Sequence, residues 1–203
     1  MDTLTGTKKD ILLTSIRLFS DLGYVQVSLK NIATEIGIKA ASIYNHYESK
    51  EAILNHIYNI YIKYAFVKRP TQKEYDSILK SGTAKDILGI FNYPLPDPVD
   101  VHYGIHRIVW GRKYIDPVAR EIYRKYVWEE ARGYLVEVFN RGVELGRIDM
   151  SSQDIETLAT LIFSVRVCSA ESAIVEPDQR KWRIKEIEMI DYLERLIILR
   201  TPL

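Results

Sequence analysis

Residues 29–47 read LKNIATEIGIKAASIYNHY, and this stretch decides the fold because it predicts two short helices joined by a tight turn. Ala33 is small where the two helices would cross, and Gly37 can take the left-handed conformation that turns a chain sharply. Apolar side chains then fix the helices at a steep angle, and the chain supplies them as Ile32, Ile36, Ile38 and Ile43. The pattern predicts a helix-turn-helix.

The second helix of this pair, predicted from about residue 40 to 46, leaves a polar outer face without acidic residues. A helix that enters the major groove of DNA turns its leading residues towards the base edges. Asn45 can pair with adenine there, and Tyr44 can reach a phosphate. The candidate DNA-binding residues of this segment are Lys39, Ala40, Ala41, Ser42, Tyr44, Asn45 and His46. The plainer alternative is two short helices that only pack.

Ser28 and Lys50 are two further candidates for contact with DNA phosphates. Ser28 stands at a helix start, where its hydroxyl and nearby backbone amides can face a phosphate. Lys50 lies in the first turn of the next helix, where a cation opposes the helix dipole at a cost of about 0.3–1 kcal/mol. A phosphate partner would offset that cost.

Helical periodicity continues on both sides of this segment. Thr7, with Asp10 completing a capping box, is predicted to start a first helix over about residues 8–22. Ser49 is predicted to cap a fourth helix over about residues 50–66. Later helices are predicted near residues 72–80, 83–91, 99–114, 117–145 and 180–199. One more helix is predicted to start after Ser151, with Asp154 as the partner of that cap.

The sequence predicts an all-α fold, since the alternation typical of strands is absent. A proline-rich stretch over residues 93–98 is predicted to be a loop. With 203 residues, 47% hydrophobic and 27% charged, the chain has enough apolar material for a sizeable core. The start has no secretory signal and no segment is long and apolar enough to span a membrane, so we expect a cytoplasmic protein without a membrane partner.

Charge and cysteine content restrict the function without choosing it. The net charge is +1, and residues 1–55 carry six basic and six acidic side chains, so DNA binding must rest on where charges lie. A single cysteine, Cys168, excludes an intramolecular disulfide, and its apolar helix predicts a small core residue. His102 and His106, with Asp100 close by, are weak evidence for a metal, and satisfied or solvent-facing histidines are the alternative.

The N-terminal quarter of the chain resembles the tetracycline-repressor (TetR) family of bacterial and archaeal transcription regulators. The resemblance rests on Leu18-Phe19 with Gly23, Ile32-Ala33 with Gly37-Ile38, and the run from Ile43 to Tyr47 followed by Ser49-Lys50-Glu51-Ala52-Ile53-Leu54. Two features depart from the family. Tyr47 stands where phenylalanine is usual, and Lys39-Ala40-Ala41 stands where serine or threonine followed by glycine or alanine is common.

The resemblance implies a three-helix helix-turn-helix DNA-binding domain over residues 1–49 and a helical ligand-binding and dimerisation domain over residues 50–203, with helix four linking them. It implies a homodimer built mainly by the last two helices. It also implies that Ser28, Tyr44, His46 and Lys50 face DNA, with Tyr44 and Lys50 on phosphates. No cofactor is implied.

The helix over residues 155–174 is apolar on nearly every side and must therefore be covered on every side. The chain's own core can cover one side and a second copy the other, with a matching stripe on the last helix. The predicted interface residues are Leu158, Leu161, Ile162, Val165, Ile187, Ile190 and Ile197. The alternative is that both helices are simply interior.

Aromatic residues gather in the middle of the chain and can line a cavity for a hydrophobic or aromatic effector. The candidates are Tyr58, Tyr61, Tyr103, His106, Trp110, Tyr123 and Trp128. Aromatic stripes at helical spacing are equally typical of a plain core. A ligand held here would displace helix four and change the distance between the recognition helices of a dimer.

The sequence thus favours a ligand-responsive transcriptional regulator, a repressor that binds a palindromic double-stranded operator as a homodimer. One alternative is a constitutive or architectural DNA-binding protein without an effector. An enzyme is the other, and it finds little support because the chain has no glycine-rich phosphate loop, no nucleophile elbow and no metal-ligand set.

Overall fold

The computed structural model describes residues 5–64, 69–91, 99–175 and 179–199. Over these ranges the chain is helical, and the pairing of Ile148 with Leu199 is an isolated bridge. The all-α fold class is therefore confirmed. The helices are α1 (Gly6–Leu22), α2 (Leu29–Glu35), α3 (Ala40–Ile43), α4 (Lys50–Tyr64), α5 (Gln72–Ser81), α6 (Ala84–Gly89), α7 (Val99–Arg112), α8 (Pro117–Ile122), a π-helix (Tyr123–Glu129), α9 (Glu130–Glu144), α10 (Ser152–Val175) and α11 (Gln179–Glu194).

The helices group into two compact units. The first contains α1–α4, α7 and α8, and the second contains α5, α6 and α9–α11, with the boundary inside the π-helix after Tyr126. This grouping follows compactness, whereas the domain boundary expected after residue 49 follows function. The functional boundary stays a prediction.

The first unit is built around the contact between α1 and α7. Ile11, Leu12 and Ile16 of α1 are at most 2% exposed, because apolar residues at helical spacing form one face. Gly104 of α7 lies against Ile16, and a Cβ there would come within 2.9 Å of the isoleucine Cγ2. The glycine therefore allows the two helices to approach closely.

The second unit has its own core, in which α10 packs on both α9 and α11. Val138 and Phe139 of α9 and Ile162 of α10 are fully buried. Ile155 and Leu158 add to the same face of α10. Over the described ranges, no helix combines the length and the hydropathy needed to cross a membrane.

Most predicted helix starts are confirmed, because a cap is a local interaction. The backbone amides of Ala52 and Asp154 donate to the hydroxyls of Ser49 and Ser151 at 3.0 and 3.2 Å. The first cap was wrong: α1 begins at Gly6, one residue before Thr7, with Thr5 as its N-cap and no side-chain bond. The loop predicted over residues 93–98 lies outside the described residues.

Three predicted helices differ clearly in extent. The last helix, expected over residues 180–199, ends at Glu194. The helix expected over 117–145 is not one regular α-helix, because seven residues of π-helix separate α8 from α9. The helix expected over 40–46 is α-helical only to Ile43, and turns with i to i−3 hydrogen bonds continue it to His46. Cys168 is exposed on α10 and is not the core residue that the sequence predicted, since it lies on the face that the second unit leaves uncovered.

Candidate nucleic-acid interface

The turn between α2 and α3 has the geometry that the sequence predicted. Gly37 has φ +74°, a conformation that side chains with a Cβ rarely adopt. The Ile38 amide donates to the Ala33 carbonyl at 2.9 Å and closes the turn. Ile32 and Ile43 are fully buried on either side of it. The two short helices are thereby held by packing from within.

The recognition segment, residues 39–46, leaves its outer face accessible. Lys39, Ala41 and Asn45 are exposed, and Tyr44 exposes 60% of its surface. Ala40, Ser42 and His46 are half-buried. Since Ile43 is buried, the segment has one anchored side and one side that carries small and polar groups.

Ser28 caps α2, as predicted, and its side chain remains exposed. Its hydroxyl oxygen accepts from the Asn31 amide at 3.2 Å, while the Ser28 amide donates to the Asn31 side chain at 2.8 Å. This reciprocal box fixes the start of the helix. The serine is therefore a structural residue whatever else it contacts.

Lys50 has an intrachain role that the sequence did not indicate. Its ammonium donates to the carbonyls of Tyr24 and Val27 at 2.9 and 2.8 Å and lies 4.2 Å from the centre of the Tyr24 ring. Burial, with a smaller effect of the nearby Arg112 charge, lowers its pKa. Two of the three ammonium protons are thus used, and one remains for a phosphate. Its contact with DNA stays a prediction.

Tyr47 directly follows the recognition segment and ties it to α4. Its hydroxyl and His56 Nδ1 share a hydrogen bond of 2.8 Å, which phenylalanine would not make. Burial raises the pKa of Tyr47 to about 12, and Lys8 lies 5.3 Å from the centre of its ring. The residue that departs from the family pattern therefore adds an anchor.

Four of the aromatic candidates lie together in the first unit and form the aromatic cluster: Tyr61, His106, Trp110 and Tyr123. The indole of Trp110 donates to the Tyr61 hydroxyl at 2.8 Å and stands edge-on to Tyr123 at 5.5 Å. His106 contacts the rings of both Tyr61 and Trp110. The cluster is a continuous set of polar-edged rings.

The other three candidates lie apart from the cluster's ring contacts. Tyr58 is 2% exposed and donates its hydroxyl proton to Asp116 at 2.8 Å. Tyr103 is half-buried on α7. Trp128 belongs to the second unit, where it is 49% exposed and stands edge-on to Phe163 at 5.3 Å. The ligand-binding role of all seven stays a prediction.

Sequence reasoning missed Lys113, whose side chain is largely buried against the cluster. Its ammonium lies 4.1 Å from the centre of the Tyr123 ring and 5.3 Å from that of Trp110. A lysine three residues after Trp110, in the turn that follows α7, was the available signal, since helical spacing predicts that the two residues share a face.

His102 and His106 stack at 4.4 Å between ring centres. Burial lowers the pKa of His102 to about 4 and, with the charge of His102, that of His106 to about 3. Among the described residues, no group of three or more His, Cys, Asp or Glu side chains is placed to hold a metal ion. Both histidines are neutral at pH 7.

The predicted interface residues separate into two sets. Leu158, Ile162 and Ile197 are at most 7% exposed in the core of the second unit, so they present no surface to a partner. Leu161 and Ile187 are 43% and 53% exposed, and Val165 and Ile190 are half-buried. Ile184 and Tyr192 add further exposed apolar surface.

The helix-turn-helix defines a class of DNA-binding module, and a family model matches it. Residues 11–57 match the model for bacterial regulatory proteins of the tetR family. A stretch of 47 residues is 45% identical to YerO, an uncharacterized HTH-type transcriptional regulator of Bacillus subtilis (strain 168). That stretch is 23% of this chain and 16% of the relative's length.

Solved structures resemble the chain over almost its whole length. A transcriptional regulator from Saccharomonospora viridis in complex with choline has a TM-score of 0.68 at 20% identity, over 96% of this chain and 98% of that one. SmeT in its triclosan complex has a TM-score of 0.67 at 15% identity, over 96% of this chain and 92% of that one. A TetR transcription regulator from Haloarcula marismortui has a TM-score of 0.62 at 15% identity, over 94% of this chain and 98% of that one. These likenesses show the fold.

Residues 11–57 of this chain match the tetR family of bacterial regulatory proteins, and the chain as a whole has the fold of such regulators. The resemblance drawn from the sequence is confirmed. The relatives named above are regulators rather than enzymes.

Proposed function

We propose that the protein is a ligand-responsive transcriptional repressor that binds a palindromic operator as a homodimer. The observation that carries the proposal is the recognition segment, anchored by Ile43 and open on the face of Ala41, Tyr44 and Asn45. Small and polar groups on an accessible helix face suit the major groove, where side chains read base edges. Lys39, exposed at the start of α3, supplies a cation beside it.

Self-association is supported by the exposed faces of α10 and α11. Leu161, Ser164, Cys168 and Val175 follow one another at helical spacing, and all four are exposed. Ile184, Ile187 and Tyr192 are exposed on α11, which packs on α10 within the chain. Exposed apolar surface of this extent is typical of an interface between subunits. Ser164 and Cys168 are small enough for a close approach.

An effector site is supported by the aromatic cluster. Its rings come from α4, α7 and the π-helix, and Tyr61 of α4 is bonded to Trp110 of α7. Two structures of the same fold were solved with small molecules, choline and triclosan. A ligand that separated Tyr61 from Trp110 would move α4, on which the recognition segment is anchored through His56. Coupling of about 1–3 kcal/mol would suffice to release an operator.

A constitutive DNA-binding protein without an effector is the second candidate, and the tightness of the cluster favours it. Tyr61 and Trp110 are each 6% exposed, and the Trp110 indole N–H finds its acceptor in the Tyr61 hydroxyl, as buried core residues do. A screen for ligand-induced shifts in melting temperature separates the two. A ligand that raises the melting temperature and weakens operator binding supports the effector; unchanged operator affinity with every ligand that binds supports the constitutive protein.

The experiment that tests the proposed function is selection of duplexes from a random pool by the full chain at two salt concentrations. We expect a palindromic consensus whose half-sites are about 10 base pairs apart, or a multiple of that spacing. We also expect affinity to fall steeply with salt, because phosphate contacts release counterions. Recovery of no consensus, with binding too weak to measure at low salt, would reject the function.

We further propose that the protein acts in the cytoplasm, where its operator lies.

A further inference from the structure

Tyr24 lies in the segment between α1 and α2 and is contacted by two cations. Lys50 Nζ is 4.2 Å, and Arg112 Cζ 4.5 Å, from the centre of its ring. Both distances are within the range of cation–π attraction. The ring also stands edge-on to Phe19 at 5.2 Å. Tyr24 is therefore the point at which α4 and α7 meet the segment that leads to Ser28 and α2.

Lys50 fixes this segment from the α4 side. Its two hydrogen bonds go to the carbonyls of Tyr24 and Val27, so the ammonium spans the segment along its backbone. Val27 is 1% exposed and immediately precedes the capping residue Ser28. The position of α2 thus depends on how firmly residues 24–27 are held.

Arg112 is held by a dense set of polar contacts. Its guanidinium donates to one Asp116 carboxylate oxygen from Nη2 at 2.9 Å and to the Tyr58 hydroxyl from Nε at 3.0 Å. The Arg112 and Asp116 side chains are only 18% and 13% exposed. The other Asp116 oxygen accepts the amides of Val118 and Ala119 at the start of α8. Charge-assisted bonds in so enclosed a place fix the guanidinium well.

Two cations on one ring repel each other, and their partners relieve this repulsion. Asp116 neutralises Arg112, while backbone carbonyls accept from Lys50. Each of these partners contributes to holding the two cations at the ring. A change at the end of α7 would consequently be felt at Tyr24.

We infer that Arg112 is a positioning residue for DNA binding: from α7 it holds the Tyr24 ring and, with Lys50, fixes the segment that carries Ser28 and α2. Arg112 itself touches no residue of the recognition segment in any described contact. The inference rests on the proposed DNA-binding function. It adds that operator affinity depends on a residue outside the helix-turn-helix.

The test compares full-length variants on the selected duplex, below the melting temperature of each. Arg112→Gln should weaken operator binding about 10-fold, the equivalent of one lost cation–π contact. Arg112→Lys keeps a cation near the ring and should stay within about 3-fold of the wild type. Arg124→Gln is the matched control, because Arg124 pairs with Glu121 on the exposed surface of α8 and the π-helix. It should leave the affinity unchanged.

Tyr24 variants test the same link without disturbing the Arg112–Asp116 pair, and they carry the test if Arg112→Gln does not fold. Tyr24→Phe keeps the ring and should bind like the wild type, whereas Tyr24→Leu should bind about 10-fold more weakly. The double variant of Tyr24→Leu with Arg112→Gln should bind the operator at most about 2-fold more weakly than Tyr24→Leu alone. The reason is that each change removes the same contact, the one between Arg112 and the Tyr24 ring.

Amide hydrogen exchange over residues 23–31 gives a readout that needs no DNA. It should become faster in Arg112→Gln and Tyr24→Leu and stay unchanged in Arg124→Gln. Wild-type affinity in both Tyr24→Leu and Arg112→Gln overturns the inference and leaves the proposed function standing. Fully additive losses in the double variant also overturn it. A wild type that binds no duplex overturns the proposed function, and the inference with it.

Discussion

The recognition segment and the outer face of α10 and α11 are both exposed, but their chemistry is opposite. The first presents Lys39, Ala41, Tyr44 and Asn45 on a short helix anchored by one buried isoleucine. The second presents leucine, isoleucine and valine side chains from two long helices that already share a core with the rest of their unit. One surface suits a polar, charged partner and the other suits an apolar one.

Exposure alone therefore does not identify the partner of a surface. The two surfaces differ in the chemical groups that a partner must supply. The recognition segment needs acceptors and donors at fixed spacing, as base edges and phosphates provide. The face of α10 and α11 needs only removal from water, which a second copy of the same face provides. We therefore propose DNA as the partner of the first surface and a second copy of the chain as the partner of the second.

The largest expected effect comes from placing a negative charge on the recognition segment. Ala41→Glu should lower operator affinity at least about 100-fold, because a carboxylate would face phosphates at close range. Ser77→Glu, an equally exposed change on α5, is the control and should have no effect. Fluorescence anisotropy with the selected duplex measures both. Equal binding by the two variants would remove DNA from the surface assigned to it.

The next largest effect is expected from a charge placed on the apolar surface of α10 and α11. Leu161→Glu and Ile187→Glu should each convert the dimer to a monomer at micromolar concentration, because they place a charge where apolar area is buried. Val143→Glu on α9 is the matched control, since Val143 is also exposed, at 37%. Sedimentation equilibrium gives the mass of each variant. A wild type that is monomeric at the same concentration would contradict the assignment of this face to a second copy.

A smaller effect is expected from a change in the core behind the helix-turn-helix that leaves its surface intact. Gly104→Ala should destabilise the protein by about 1–3 kcal/mol, since the new Cβ would meet Ile16 in the contact between α1 and α7. Gly111→Ala on the same helix meets no atom within 4 Å and should stabilise by up to about 1 kcal/mol. Urea unfolding measures both. Equal stability of the two variants would show that the contact adapts.

The last effect concerns pH and the aromatic cluster. His102 and His106 have pKa values of about 4 and about 3 in the folded chain, both lowered mainly by burial from the ordinary 6.5. Unfolding therefore takes up protons below pH 6.5, and stability should be lost as the pH falls from 6.5 towards 4. We expect the melting temperature to drop by at least about 5 °C over this range and His106→Gln to reduce the drop.

Calorimetry at several pH values checks this dependence. If His106→Gln has the wild-type slope, the histidine is not enclosed as described, and the cluster is more open than its ring contacts indicate.

The helix-turn-helix could be predicted from sequence because each of its requirements is local. A positive φ selects Gly37, a capping hydroxyl selects Ser28, and a helix crossing selects a small residue at Ala33. These choices lie within ten residues of one another. The pattern therefore predicts the turn without knowledge of the rest of the chain.

The contacts that depend on distant parts of the chain were not predictable in this way. Lys50 bonds to carbonyls 23 and 26 residues away, so its first-turn position suggested only a phosphate. The meeting of Arg112 with Tyr24 joins residues that are far apart in sequence. The π-helix keeps a helical pattern of apolar residues, and periodicity cannot reveal its wider turn.

For a related reason, only part of the expected interface on α10 could be predicted from the sequence. The helix is apolar nearly all round, so its sequence indicates that every side is covered but not what covers each side. The structure buries Leu158 and Ile162 in the chain's own core and leaves Leu161 exposed. Which face remains for a partner depends on how α9 and α11 pack against the helix.

Contact between residues 39–46 and DNA can be measured by hydrogen exchange of the wild-type protein with and without its selected duplex. We expect slower exchange of backbone amides over 28–31 and 39–46 when the duplex is bound, with no change over 152–175. Slower exchange confined to α10 and α11, or unchanged exchange over 39–46 at saturating duplex, would rule out this contact.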